Sequence, residues 1–139
     1  MYNRIMTGTT YLGIDYGHVR IGVAVGDSDT RLARPLQTLQ KVAEPARTIG
    51  ALAYIEAATE LVVGLPRSLD GEDTIQTAAV RAFAHHLHVT LGHPVHLMDE
   101  AATSSQAEAE LKARGKAYAK GDIDQLAATI ILQDYLDQL

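Results

Sequence analysis

Two apolar runs, residues 11–16 and 21–26, are separated only by Gly17-His18-Val19-Arg20. That link suits a tight connection, so the two runs read as a β-hairpin. Residues 31–39 read as a third, weaker strand, and Pro35, which has no N–H to donate, favours an edge position for it. The period then changes. Residues 44–60 read as a helix, with Pro45 in its first turn and Ile49, Leu52, Ala53 and Ile55 as an apolar stripe. Residues 61–65 are wholly apolar, the pattern of a strand covered on both faces. After the polar loop 66–72, residues 74–91 read as a second helix capped by Asp73 or Thr74. Residues 95–98 read as a short strand. Residues 103–114 read as a third helix capped by Thr103 or Ser104, 115–121 as a loop, and 123–136 as a final helix. An antiparallel three-strand meander followed by αβ units predicts an α/β domain, a mixed five-stranded sheet flanked by helices, with two parallel strands added to the meander. Residues 1–10 lack periodicity and read as a flexible arm, leaving 11–139 as a single domain.

The chain has 139 residues, 47% of them hydrophobic, enough to bury one core. Its apolar segments fall short of the roughly 18–20 residues that a membrane span needs, and no signal-peptide run precedes them. Cysteine is absent, which excludes disulfides, cysteine-ligated zinc and thiol nucleophiles. A reducing cytoplasm fits this composition. The net charge of −5 argues against a general nucleic-acid coat protein. It is compatible with a nuclease, whose metal site needs clustered acids.

Three acids occupy telling positions. Asp15 interrupts the first apolar strand, where a carboxylate is costly unless paired or metal-bound. Asp99 and Glu100 follow directly after the strand at 95–98. Asp124 falls in the first turn of the last helix, where the dipole favours its ionised form. Strand interior, strand end and helix start can converge at one sheet edge. An all-oxygen donor set suits Mg²⁺ or Mn²⁺, and two such ions roughly 3.5–4 Å apart support phosphodiester hydrolysis. Taken individually, Glu100 and Asp124 read more readily as a solvated strand end and a helix cap than as catalytic groups. Asp15 is the hardest to dismiss.

Gly13-Ile14-Asp15-Tyr16-Gly17, followed by Arg20-Ile21-Gly22-Val23-Ala24-Val25-Gly26-Asp27, resembles the opening of the YqgF/RuvX family. These are ribonuclease H-like proteins described as Holliday junction resolvases or pre-16S ribosomal RNA nucleases. Arg34-Pro35-Leu36, Val63-Gly64-Leu65-Pro66, Asp70-Gly71, Asp99-Glu100, Ile123-Asp124, Ala127-Ala128 and Ile130-Ile131-Leu132-Gln133 continue the match in order and spacing over residues 11–136. The resemblance implies a ribonuclease H-like fold and a divalent metal. It implies an acidic triad at Asp15, Glu100 and Asp124, which would be both metal ligands and catalytic residues. It also implies an RNA or branched-DNA substrate and often a homodimer. Two positions depart from the family. Ala101 stands where an arginine is usual, which removes a phosphate contact or carboxylate orienter. Asp122 stands where lysine is frequent, adding a helix cap or a rival ligand.

Basic residues gather beside Asp124: Lys112, Arg114, Lys116 and Lys120 would hold a phosphate backbone, and Tyr118 would stack on an unpaired base. A solvated helix end explains the same cations equally well. Arg67 and Ser68, in a loop leading into a helix start, and Arg20, near Asp15, are further candidate phosphate contacts. His85, His86 and His88 read as a solvated helix face, and His96 as a core or edge residue.

Ribosomal RNA maturation at the 5′ end of precursor 16S RNA is the preferred function. Resolution of branched DNA is the alternative within the same chemistry. A nucleotide-binding phosphotransferase is a third reading, since Asp15-x-Gly17 with Gly22 also resembles the first phosphate loop of actin and sugar-kinase ATPases. Those proteins need two such domains. A catalytically weak RNA-binding protein is the fourth, motivated by Ala101.

Overall fold

A computed structural model describes residues 8–41, 43–68, 70–100, 103–115 and 117–139. The chain runs β1 (Thr10–Tyr16), β2 (Arg20–Asp27), β3 (Ala33–Gln40), α1 (Pro45–Glu56), β4 (Glu60–Pro66), α2 (Ile75–Leu91), β5 (Val95–Glu100), α3 (Thr103–Ala113) and α4 (Lys120–Leu136). The strands form one sheet in the order β3-β2-β1-β4-β5. β1, β2 and β3 form the expected antiparallel meander, and β4 and β5 add to it in parallel with β1. β3 is an edge strand, as Pro35 required. Pairing shifts there: Val23 faces Gln37 but Ala24 faces Pro35, so Leu36 is the extra residue of a bulge.

Several element boundaries differ from the sequence expectation. α1 stops at Glu56, because Ala57 takes a left-handed conformation and its N–H caps the carbonyls of Ala53 and Tyr54. The chain must turn there for β4 to align with β1. α2 starts at Ile75 with Thr74 as its cap: the Thr77 N–H donates to the Thr74 hydroxyl. β5 extends to Glu100, because β4 continues to Pro66 and pairs Leu65 with Asp99 and Pro66 with Glu100. α4 begins at Lys120, three residues earlier than expected. The Thr103 and Ser104 side chains, expected as caps of α3, lie outside the described residues.

Strand alternation sorts the side chains onto two faces. Leu12, Ile14, Val23, Leu61 and Val63 pack with α1 and α2 residues such as Ile49, Val80 and Leu87. The opposite face carries Tyr11, Ala24 and Val62 and is covered by Ala128, Ile131, Leu132 and Leu136 of α4. On that second face the strands present glycine. A Cβ on Gly22 would lie 1.9 Å from the Asp124 carbonyl oxygen, and one on Gly13 would lie 2.6 Å from the Leu132 Cβ. Those glycines let the helix approach the sheet backbone directly. A third cluster, Ala107, Leu111, Leu126 and Ala127, ties α3 to α4. Among the described residues, no helix is long and apolar enough to cross a membrane.

Gly22→Ala is expected to destabilise the fold by about 1–3 kcal/mol or more, since the obstructing atom is backbone and cannot rotate away. Gly121→Ala meets only Thr38 at ordinary contact distance and should be close to neutral. Thermal unfolding of both variants checks this. Equal melting temperatures would contradict the close approach.

Candidate active site

The alternation that puts Tyr11 and Gly13 under α4 puts Asp15 there too. In β5 the same face carries Met98, and therefore Glu100. Asp15 pairs in register with Gly22, the glycine over which the Asp124 backbone crosses. Two carboxylates, from β1 and α4, are thus brought together at one end of the sheet. Burial and the charge of Asp124 push the Asp15 carboxyl up to about 6. Glu100 emerges from β5, with β4 between it and Asp15. Its backbone is therefore roughly 10 Å from that of β1.

Asp124 is the fifth residue of α4, so its ionised form is not supported by a first-turn position. Its partner is Arg20, whose Nε donates to Oδ2 at 2.6 Å. Asp122 occupies the first turn instead. Its carboxylate accepts from the Ala119 N–H at 2.9 Å and caps the helix.

The end of β1 is held from several sides. Tyr16 stacks on Phe83 with ring centroids 3.9 Å apart, and the Lys41 ammonium lies 3.8 Å from the Tyr16 ring centroid. Lys41 also donates to the Gly17 carbonyl, and Gln76 donates to that of Tyr16. The Thr38 hydroxyl donates to the Gly121 carbonyl at 2.6 Å and anchors the start of α4. Sequence reading missed all of these supports. Only the glycines inside β1 and β2 signalled a close approach.

The expected cationic residues divide. Arg67 is committed within the protein: its Nε donates to Asp99 at 3.1 Å and its Nη1 to Asp73. The Ser68 hydroxyl donates to Asp70, and the Glu72 N–H donates to Ser68. Lys112 and Arg114 pair one turn back along α3 with Glu108 at 3.5 Å and Glu110 at 2.9 Å. Lys116 and Ala101 lie outside the described residues. Arg20, Tyr118 and Lys120 line a cavity of about 520 Å³ together with Glu108, Ile123 and Asp124. None of the histidines lines it. His88 and His86 bond to His93 and Thr90 near the end of α2, and His96 pairs with Glu60 at 2.6 Å.

The donor set at Asp15, Asp124 and Glu100 is all oxygen, which fits a hard divalent cation. Among the described residues, no three histidine or acidic side chains already form a metal cage. Water would have to complete the coordination shell, as Mg²⁺ ordinarily requires. The repulsion between Asp15 and Asp124 is the feature that a cation would relieve.

A family model described as "RuvX: Holliday junction resolvase" matches residues 9–138. A "Putative pre-16S rRNA nuclease" of Chloroflexus aggregans is 44% identical over 137 residues, covering 95% of this chain and 96% of that protein. A protein of the same name from Anaeromyxobacter sp. (strain K) is 41% identical over 131 residues, covering 91% and 96%. Among solved structures, RuvC of T. thermophilus in complex with Holliday junction substrate superposes with a TM-score of 0.53 at 17% identity, over 94% of this chain and 95% of that one. The Fowlpox virus resolvase with Holliday junction DNA gives 0.55 at 9% identity, over 94% and 98%. At these identities the likeness is one of fold, and it is the ribonuclease H-like fold expected from the sequence.

The raised Asp15 carboxyl sets a stability prediction. Its value is about 6 in the fold against 3.8 for the free side chain. Between those pH values the folded state holds more protons than the unfolded one, so stability falls as pH rises from about 4 to about 6. Above that window the cost is fully present, on the order of a few kcal/mol. Asp15→Asn should therefore melt higher than the parent at pH 7.5 in EDTA, with the gap closing near pH 4. Identical melting temperatures at both pH values would refute the burial of that charge.

Proposed function

The chain belongs to the RuvX family, and on that premise we propose that it is a metal-dependent nuclease that hydrolyses phosphodiester bonds in maturing the 5′ end of precursor 16S ribosomal RNA. The observation that carries this reading is the juxtaposition of Asp15 with Asp124 at one end of the sheet, two carboxylates whose mutual repulsion raises the Asp15 carboxyl. Asp15 and Asp124 would hold a divalent ion, Mg²⁺ or Mn²⁺, with Glu100 approaching from β5. Such an ion supplies charge stabilisation to the phosphodiester and lowers the pKa of an attacking water. The roughly 10 Å between the backbones of β1 and β5 leaves room for a second ion, as a two-metal reaction needs.

Within this mechanism the chain's own groups have distinct tasks. Asp15 is fixed by β1 and cannot move without breaking the sheet. Asp124 is steered by Arg20, whose guanidinium also stands beside the cavity where a phosphate would arrive. Lys120 offers a second cation, and Tyr118 an aromatic face. Arg67, Ser68, Lys112 and Arg114 are held by neighbouring groups and serve the loop and helix first. The names carried by the relatives favour ribosomal RNA. The description of the family favours branched DNA as the second substrate, which would call for a homodimer with two sites. An RNA-processing role implies a cytoplasmic protein.

Cleavage of single-stranded RNA, a precursor 16S 5′ end and a four-way DNA junction should be compared in Mg²⁺ and in Mn²⁺. The precursor end is expected to be cut fastest, with no cutting in EDTA. Asp15→Asn, Glu100→Gln and Asp124→Asn should each lower the rate on the order of a hundredfold or more. Symmetric cutting of the junction in preference to RNA would overturn the substrate. Full activity of all three variants would overturn the site. RNA binding without any cleavage would leave a binding protein in place of an enzyme.

A further inference from the structure

We propose that the cavity between α3, the start of α4 and β2 is a binding subsite for one unpaired nucleotide of the substrate strand, an inference that rests on the nuclease reading above. The cavity measures about 520 Å³, ample for a nucleotide, and opens directly beside Asp124. Its wall is chemically divided. Lys120 supplies positive charge and forms no ion pair among the described residues, and Arg20 adds a guanidinium whose Nε is already bonded to Asp124. Tyr118 supplies an aromatic surface, with its ring packed against the small apolar cluster of Leu111 and Leu126. A ring braced in that way loses little freedom when a base stacks on it. Glu108 supplies an acceptor in its second carboxylate oxygen, while its Oε1 accepts from the Tyr118 hydroxyl and pairs with Lys112, each at 3.5 Å.

This division fits a nucleotide and selects its state. The phosphate belongs at the cationic end, since Glu108 would repel it. The base belongs on the exposed face of the Tyr118 ring, with its N–H groups toward Glu108. Stacking needs an open base face, and a carboxylate can accept only from base N–H groups not already used in pairing. Both faces and the pairing edge are occupied inside a duplex. The subsite therefore admits a single strand, or a flipped or frayed end, and rejects a fully paired four-way junction at this position.

The test uses short strands carrying 2-aminopurine at successive positions, whose fluorescence is quenched by stacking. They are mixed with the full chain in EDTA so that nothing is cut. Single-stranded RNA should show quenching at one position with the parent and with Tyr118→Phe. The quench should vanish with Tyr118→Leu, which keeps the apolar packing but not the ring. The leucine variant should bind about tenfold more weakly. Lys120→Gln should weaken binding and lower its salt dependence while leaving the quench in place. A parallel arm with single-stranded DNA separates the two sources of an unpaired nucleotide, and quenching with either supports the subsite. Equal affinity of Tyr118→Leu and parent, or equally tight binding of the matching duplex, would overturn it. Cleavage in Mn²⁺ keeps the two claims apart. Cutting by the parent with an unchanged KM in Tyr118→Leu sinks the subsite alone. Tyr118-dependent quenching without any cutting upholds the subsite and sinks the nuclease.

Discussion

α4 lies against the sheet so closely that one strand position beneath it admits no side-chain carbon at all. At Gly22 the helix backbone occupies the volume that a Cβ would need. The rest of the site depends on that contact. It brings Asp124 across the strand that pairs with Asp15, and it puts Arg20 within bonding distance of Asp124. It also excludes enough water to raise the Asp15 carboxyl. Moving the helix outward by one methyl group would separate the carboxylates and rehydrate them together.

The electrostatics follow from the same geometry. Two acids are forced together, one guanidinium answers one of them, and the remaining charge is left to burial. Elsewhere the chain neutralises itself locally. Arg67 bridges Asp99 and Asp73, and the cations of α3 pair with acids one turn away. The net charge is −5, and among the described residues Lys120, beside Asp124, is one of the few cations without an ion pair.

Much of the fold was legible because its signals are local. The four-residue link between the first two strands, the proline of β3 and the change of period after residue 44 each report on a few neighbouring residues. Asp15 stood out for the same reason, as an acid in an apolar run. Asp124 was identified by resemblance, but its local reading as a first-turn residue was wrong, because α4 starts at Lys120 and gives that place to Asp122. The strand ending before Asp99 was also wrong, since the length of β5 is set by its partner β4. The pairing of Arg20 with Asp124 had no local signal. It joins residues 104 positions apart and exists only because a particular helix covers a particular sheet face. The i,i+4 pairs of Lys112 and Arg114 could have been counted from spacing, which would have moved both from the substrate to the helix surface.

That separation of 104 residues has a kinetic meaning. A contact so distant in sequence must offset the loop-closure entropy of the intervening chain. The meander can pair while α4 is still undocked, and in that state Asp15 stands alone. The arrangement of carboxylates is therefore a property of the finished fold and not of any folding intermediate that lacks α4. Because Asp15 and Asp124 meet only when the last helix is seated, the geometry of that sheet edge is tied to the completion of folding.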